Sequence, residues 1–225
     1  MDKHQLHGEI NFEIERTPQD IVDKLKKHDT CKIGDSMSAQ GLMNYQIKSI
    51  TAGMKIAGPA VTVLTRPGDA LYVQKVIEVA KPGDVIVIDA GGVKDVACIG
   101  ERLSHYMQEN GINGVVVDGA IRDSRGIIDL GFPVFSKSIC MKLFGSRGPG
   151  AINVPIQCGG VSVNPGDMIV GDEDGVVCIP REYASEVLMA ANKHLEDELY
   201  RLEQFKAGKN MTEIFGLEDK LKEWR

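Results

Sequence analysis

Runs of β-branched residues alternate with helix-like apolar stripes along this chain, and glycine or proline marks most boundaries between them. Thr17-Pro18-Gln19-Asp20 predicts a helix start, with a hydroxyl at the N-cap, proline at the first helical position and an acid in the first turn. Ile21, Val22 and Leu25 form its apolar stripe. A second helix is expected over 32–40, stopped by Gly41. From 47 to 64 the composition turns to strand, broken at Gly58-Pro59, with 60–64 the clearest member. Three Pro-Gly-Asp tripeptides, at Pro67, Pro82 and Pro165, suit type II turns, because proline sets one central φ and glycine supplies the positive one. They lead into a helix over 70–81, a strand over 84–89 and another over 167–170. The last two share Pro-Gly-Asp-x-Ile-Val-x-Asp, a reused turn-and-strand device rather than a duplicated domain.

Strand 85–88, a helix over about 100–110 closed by Gly111, and strand 115–117 read as a right-handed βαβ crossover. Beyond Phe132 short strands and turns take over, until a long polar helix over 182–205 that Gly208 ends. This order predicts a mixed α/β domain with two packed sheets rather than a plain doubly wound sheet. One domain is expected over 1–225, with a helical segment at 17–41, a core at about 30–181 and a terminal helix and tail at 182–225.

The formal charge of −6, a pI near 5.4 and the lack of an extended lysine or arginine cluster argue against a nucleic-acid footprint and for a small-molecule or protein partner. Cys31, Cys98, Cys140, Cys158 and Cys178 are odd in number and scattered, without a CxxC pair or zinc spacing. They read as reduced thiols of a cytoplasmic protein. The opening Met1 to Gln5 is polar, unlike a signal peptide, and no apolar run approaches the roughly 20 residues that span a bilayer. No membrane partner is expected.

The candidate chemistry lies between Gly100 and Asp123. A buried strand ends in Arg122-Asp123, and the carboxyl ends of such strands, with nearby helix amino termini, are where small ligands bind. Aspartate there can ligate a hard metal, and arginine can oppose a substrate oxyanion. Gly100-Glu101-Arg102-Leu103 offers free backbone N–H groups to a carboxylate. Read alone, these residues better suit an ordinary helix start and a surface ion pair, which are the commoner fates of such sequences.

Asp89-Ala90-Gly91-Gly92 lacks the GxGxxG spacing of a nucleotide loop and reads as a tight turn. His28, His105 and His194 have no metal or triad spacing, and His4 and His7 sit in the polar amino-terminal arm. There is no GxSxG elbow or local cysteine signature, and no lysine is expected within an apolar strand, so nothing points to covalent catalysis.

Taken in order, Gly-Pro-Ala-Val-Thr-Val at 58–63, the 82–92 segment, Gly-Glu-x-Leu at 100–103 and Val-Asp-Gly-Ala-Ile-Arg-Asp at 117–123 resemble one family. It comprises the 4-hydroxy-4-methyl-2-oxoglutarate aldolases and the regulator of ribonuclease activity A. Gly-Phe-Pro-Val-Phe at 131–135, Arg-Gly-Pro-Gly at 147–150, Asn-Val-Pro-Ile at 153–156 and Asp-Glu-Asp-Gly-Val-Val at 172–177 extend the likeness over about 30–181. The resemblance implies a swivelling β/β/α-type fold in homotrimers or homohexamers with sites between subunits. It assigns Asp123 to a divalent cation, Mg2+ or Mn2+, and Arg122 to the substrate. The backbone of Gly100, Glu101, Arg102 and Leu103 would hold the carboxylate of a 2-oxo acid. Glu101 stands where the family has an acid orienting water on the metal. A further acid from the neighbouring subunit's terminal helix corresponds to Glu198, or to Glu196 if the alignment slips. Ile99 stands where many members carry an aromatic residue.

The implied reaction is metal-dependent cleavage of a 4-hydroxy-2-oxo acid through pyruvate enolate, with oxaloacetate decarboxylation reaching the same enolate. The family also permits a non-enzymatic ribonuclease regulator, whose members are shorter, so the helix over 182–205 favours the enzyme. A menaquinone methyltransferase label fits less, because the loop at 89–92 is imperfect.

Overall fold

Helices α1 (Gln19–Leu25) and α2 (Thr30–Ser36) lead into β1 (Lys48–Ser49) and the long strand β2 (Ile56–Thr65). Then follow α3 (Leu71–Lys75), β3 (Val85–Asp89), β4 (Ala97–Ile99), α4 (Glu101–Glu109), β5 (Gly114–Ile121) and α5 (Ser124–Leu130). The β-rich part holds β6 (Val134–Ile139), β7 (Gly150–Ile152), β8 (Ile156–Cys158), β9 (Val161–Val163), β10 (Met168–Asp172) and β11 (Gly175–Ile179). Helix α6 (Ala184–Lys206) and the short α7 (Met211–Phe215) and α8 (Leu217–Lys222) end the chain. This computed structural model describes residues 8–224, so His4 and His7 lie outside it.

The main sheet runs β1-β6-β5-β3-β2-β10-β11, with β4 joined to β5 and β7 to β2; β8 and β9 form a separate hairpin. Its two ends approach each other, β1 lying beside β10 and β11, so the sheet nearly closes. β2, β3, β5 and β6 are parallel neighbours. One face packs Val73, Val76, Leu103 and Met107 of the helical layer. The other packs Met43, Ile47 and the β8–β9 hairpin. A third cluster joins α1, α2 and α6 to β10 and β11 through Leu25, Ile33, Val177 and Leu188.

The break expected at Gly58-Pro59 is absent. β2 runs straight through it and changes partner there: Ile56 to Pro59 pair antiparallel with β10, and Ala60 to Leu64 pair parallel with β3. Gly58 is needed for close approach, because a Cβ there would lie 2.2 Å from the Gly83 carbonyl oxygen. The other corrections concern helix ends. Thr17 does not cap α1; its buried hydroxyl donates to the Gly166 carbonyl at 3.0 Å. The second helix starts and stops earlier than 32–40, and Gly41 instead lets the chain touch the Cys178 carbonyl of β11. The helix expected over 70–81 is only α3 followed by a 3-10 turn, Val76–Glu78.

All three Pro-Gly-Asp turns form. Gly68, Gly83 and Gly166 have φ of 70°, 92° and 87°, and the amides of Asp69, Asp84 and Asp167 close the turns at 3.0–3.1 Å. Each aspartate then joins distant chain. Asp69 accepts from the Arg147 and Gly148 amides, Asp84 pairs with Arg16, and Asp167 accepts from the Arg181 amide.

A similar buried carboxylate ties α2 to β10. Asp172 accepts from the Thr30 amide at 2.8 Å and hydroxyl at 2.6 Å. Burial pushes its carboxyl up, but these bonds and one from the Asp174 amide prevail and hold it below the ordinary carboxylate value. Its stabilising contribution is therefore complete above the unfolded value of about pH 4 and is lost as pH falls through the folded one. In urea unfolding, the stability gap between wild type and Asp172→Asn is expected to narrow as pH drops from about 6 to about 3. A constant gap contradicts this assignment.

Candidate active site at the ends of β4 and β5

β5 is fully buried and continues to Ile121, four residues beyond the strand expected over 115–117. Past its middle it acquires β4 as a neighbour, a three-residue strand without a periodic signal of its own. Two connections therefore leave the sheet side by side. Ile99 leads through Gly100 into α4, and Ile121 leads through Arg122 and Asp123 into α5. The Arg122 amide donates to the Ile99 carbonyl at 3.0 Å and locks them together.

Asp123 occupies the N-cap position of α5 in the left-handed region, with φ 54° and ψ 37°. Such a conformation costs a non-glycine residue on the order of 1 kcal/mol or more, though aspartate tolerates it better than most. Its carbonyl accepts from the Ile127 amide at 3.1 Å, while its carboxylate makes no capping bond. The carboxylate lies instead over the start of α4, where a Cβ on Gly100 would come within 2.5 Å of Oδ2 and 2.9 Å of Arg122 Cγ. Arg122 Nε donates to Asp123 Oδ1 at 3.1 Å. This pair is part-exposed, at 29% and 39%, and such pairs contribute about 1 kcal/mol at most, so it does not account for the strained backbone.

Gly100, Arg102, Leu103, Arg122 and Asp123 line one cleft of about 280 Å³, with Leu143 and Phe144 as its apolar wall. Five of the residues singled out in the sequence are thus brought together. Glu101 is not among the lining residues; its carboxylate lies across α5, where a Cβ on Gly126 would fall 2.2 Å from Oε2. Glu198 sits on the exposed far half of α6 and pairs with Lys32 at 3.3 Å, away from the cleft of its own chain, and Glu196 is exposed on the same helix. Ile99 is fully buried in the core, so its identity governs packing rather than the cleft wall. Leu143, Phe144 and Gly126 were not legible in the sequence, because none lies in a periodic segment that points to the cleft.

The glycine turn after β3 is closed to phosphate. The Gly91 amide bonds to Asp89 Oδ1 at 3.0 Å and the Gly92 amide to the Asp118 carbonyl at 3.0 Å, so the N–H groups are used internally. One lysine side chain is nearly buried even though its strand turns polar: Lys137 of β6, paired with Asp118 at 2.5 Å. All five cysteines are free, and burial pushes the Cys98 thiol up to about 12 and those of Cys158 and Cys178 well above the ordinary value, leaving these three inert. His28 bonds to Asn192 at 3.0 Å. Among the described residues no helix is long and apolar enough to cross a membrane.

Comparison with known proteins places this geometry in a family. The RraA-like model, described as Aldolase/RraA, matches residues 30–178. A Halalkalibacterium halodurans protein provisionally named 4-hydroxy-4-methyl-2-oxoglutarate aldolase is 41% identical over 179 residues, 80% of this chain and 85% of that protein. Among solved structures, an uncharacterized Pseudomonas syringae protein superposes with a TM-score of 0.79 at 29% identity, covering 91% of this chain and 96% of the other. Streptomyces coelicolor RraAS2, described as an unusual member of the RNase ES inhibitor RraA protein family, gives 0.76 at 28% identity over 84% and 100%. With its core matched from 30 to 178 and a 41% identical relative spanning most of both chains, this protein belongs to the RraA-like family.

Proposed function

We propose that this protein is a divalent-metal-dependent lyase that cleaves 4-hydroxy-2-oxo acids of the 4-hydroxy-4-methyl-2-oxoglutarate type and decarboxylates oxaloacetate, acting in the cytoplasm. The observation that carries this reading is the Asp123 carboxylate, held in a left-handed turn beside Arg122 and over the amino terminus of α4 instead of capping α5. Relatives named as aldolases support the reaction class.

The cleft suits Mg2+ or Mn2+. Among the described residues there is no cluster of three His, Cys, Asp or Glu that could cage a metal, and zinc would want more protein ligands. Mg2+ keeps most of its waters and takes one or two carboxylates plus substrate oxygens, which matches a single Asp123 whose bond from Arg122 goes to Oδ1 rather than Oδ2. The ion would supply Lewis acidity toward a 2-oxo acid carbonyl. The chain's own residues do the rest. The first amides of α4, from Gly100 to Leu103, bind the carboxylate next to the reacting carbonyl. Arg122 sets positive charge beside the oxygen that becomes the enolate, and Leu143 and Phe144 line that side with apolar surface. In aldol cleavage a water oriented by Glu101 and by a neighbouring subunit's Glu198 would take the alcohol proton. Decarboxylation needs no such base.

Purified protein with Mg2+ or Mn2+ is expected to act on both substrates and to stop with a chelator. Glu101→Gln should slow aldol cleavage more than decarboxylation. A metal-replete protein inert towards both sinks the aldolase reading. It would promote the second one, a protein-binding regulator of ribonuclease, which the likeness to Streptomyces coelicolor RraAS2 favours.

The family resemblance implies a homotrimer or homohexamer, in which Glu198, outside its own chain's cleft, would serve the cleft of a neighbour. Inactive Asp123→Ala and Glu198→Ala proteins, dissociated and reassembled together, are expected to regain part of the wild-type rate. Verified mixed oligomers without activity would count against Glu198 as the shared acid.

A further inference from the structure

Two strand irregularities meet beside the cleft. β5 and β6 pair regularly up to Val117 opposite Ser136, and again from Ala120 opposite Ser138. Asp118 and Gly119 therefore stand against the single residue Lys137, the two-against-one arrangement of a β-bulge. On the other flank of β5, Ala97 and Ile99 pair with the adjacent residues Ala120 and Ile121, which leaves Cys98 as the extra residue of β4. Before the bulge this flank of β5 pairs with β3, and after it with β4. That exchange sets Gly100, the residue after β4, beside Arg122, the residue after β5.

Asp118 holds the bulge from several sides. Oδ1 pairs with the Lys137 ammonium at 2.5 Å. Oδ2 accepts from the Gly159 amide at 2.7 Å, tying down the β8–β9 turn. The Asp118 carbonyl takes the Ala90 and Gly92 amides at 3.3 and 3.0 Å rather than a partner in β6. Glycine at 119 leaves room for that turn, since a Cβ there would meet the Ala90 Cβ at 2.9 Å. Both charged side chains are nearly buried, at 10% and 15% exposure. A buried ion pair must repay the desolvation of both ions, and an apolar pair of similar volume often serves stability as well. Its place therefore asks for another reason, and Arg122 and Asp123 follow only four and five residues later on the same strand.

We propose that the Asp118–Lys137 pair is a positioning device: it fixes the bulge in β5, and the bulge fixes Arg122 and Asp123 against Gly100. Its consequence for turnover rests on the proposed lyase function, whereas the positional claim rests on strand pairing alone.

The test is amide hydrogen exchange in the full-length protein, comparing wild type with Lys137→Met and with the double variant Asp118→Asn/Lys137→Met. The double variant removes the Asp118 charge together with its cation, relieves the repulsion between Asp118 and the neighbouring Asp89, and keeps an acceptor for the Gly159 amide, which guards against failure to fold. In both, the amides past the bulge, Arg122 bonded to Ile99 and Cys140 bonded to Ile121, are expected to exchange at least tenfold faster than in wild type. The Val115 amide, bonded to Pro133 before the bulge, should stay within about threefold. Where wild type is active, kcat should fall at least tenfold in the double variant. Unchanged exchange past the bulge, or a uniform rise across β5, overturns the proposal whatever the activity. A local rise in a protein inert to both substrates supports the positional claim and rejects the lyase reading alone.

Discussion

Replacing Asp123 by asparagine is expected to lower metal-dependent kcat/KM by about three orders of magnitude, roughly 4 kcal/mol of transition-state stabilisation, while the folded protein keeps its stability within about 0.5 kcal/mol. Asparagine is the informative substitution. It matches aspartate in size, it is among the few residues that accept the left-handed conformation at φ 54°, and it removes only the charge. Alanine would add backbone strain, so a fall in activity would mix two causes. The half-exposed pair with Arg122 contributes little to folding, so its loss leaves the melting temperature nearly unchanged. Steady-state rates over a magnesium titration, beside a thermal melt, give both quantities. Wild-type rates at limiting magnesium would remove Asp123 from the metal site.

The second large effect is expected from a single methyl group. In Gly100→Ala the added Cβ would stand 2.5 Å from Asp123 Oδ2 and 2.9 Å from Arg122 Cγ, so both groups must move. The backbone itself is indifferent, because φ of −152° and ψ of −173° are open to any residue. A displacement of about 1 Å at reacting groups can cost about 100-fold in rate, and a loss of that size in kcat is expected with the helix content unchanged. Full activity in this variant would show that the juxtaposition of Gly100 with Arg122 and Asp123 plays no part in turnover.

These two positions differ in how far they could be read beforehand. Arg122 and Asp123 stand out as an ionic pair after an apolar strand, and Gly100 as a glycine before a helix with an acidic first turn. Their adjacency could not be read, because it depends on β4 joining β5 past a bulge. Lys137 shows the same limit. It follows Ser136 in a strand that becomes polar toward its end, and only the register against β5 reveals that its ammonium is buried against Asp118.

What the sequence determined by itself is local. Proline fixes φ and glycine opens positive φ, so the three Pro-Gly-Asp turns form as read; apolar runs give β3 and β5; and the segments closed by Gly111 and Gly208 give α4 and α6. What only the tertiary structure decided is which neighbour each segment meets. β2 continues through Gly58-Pro59 because β3 and β10 offer ladders on either side of that point. Thr17 bonds to Gly166 rather than capping its helix, Leu143 and Phe144 become a cleft wall, and Glu101 and Glu198 are carried away from the cleft of their own chain. Backbone torsion and side-chain periodicity belong to a few consecutive residues, whereas register, partner exchange and close approach are settled among segments far apart in the chain, where no local signal reaches.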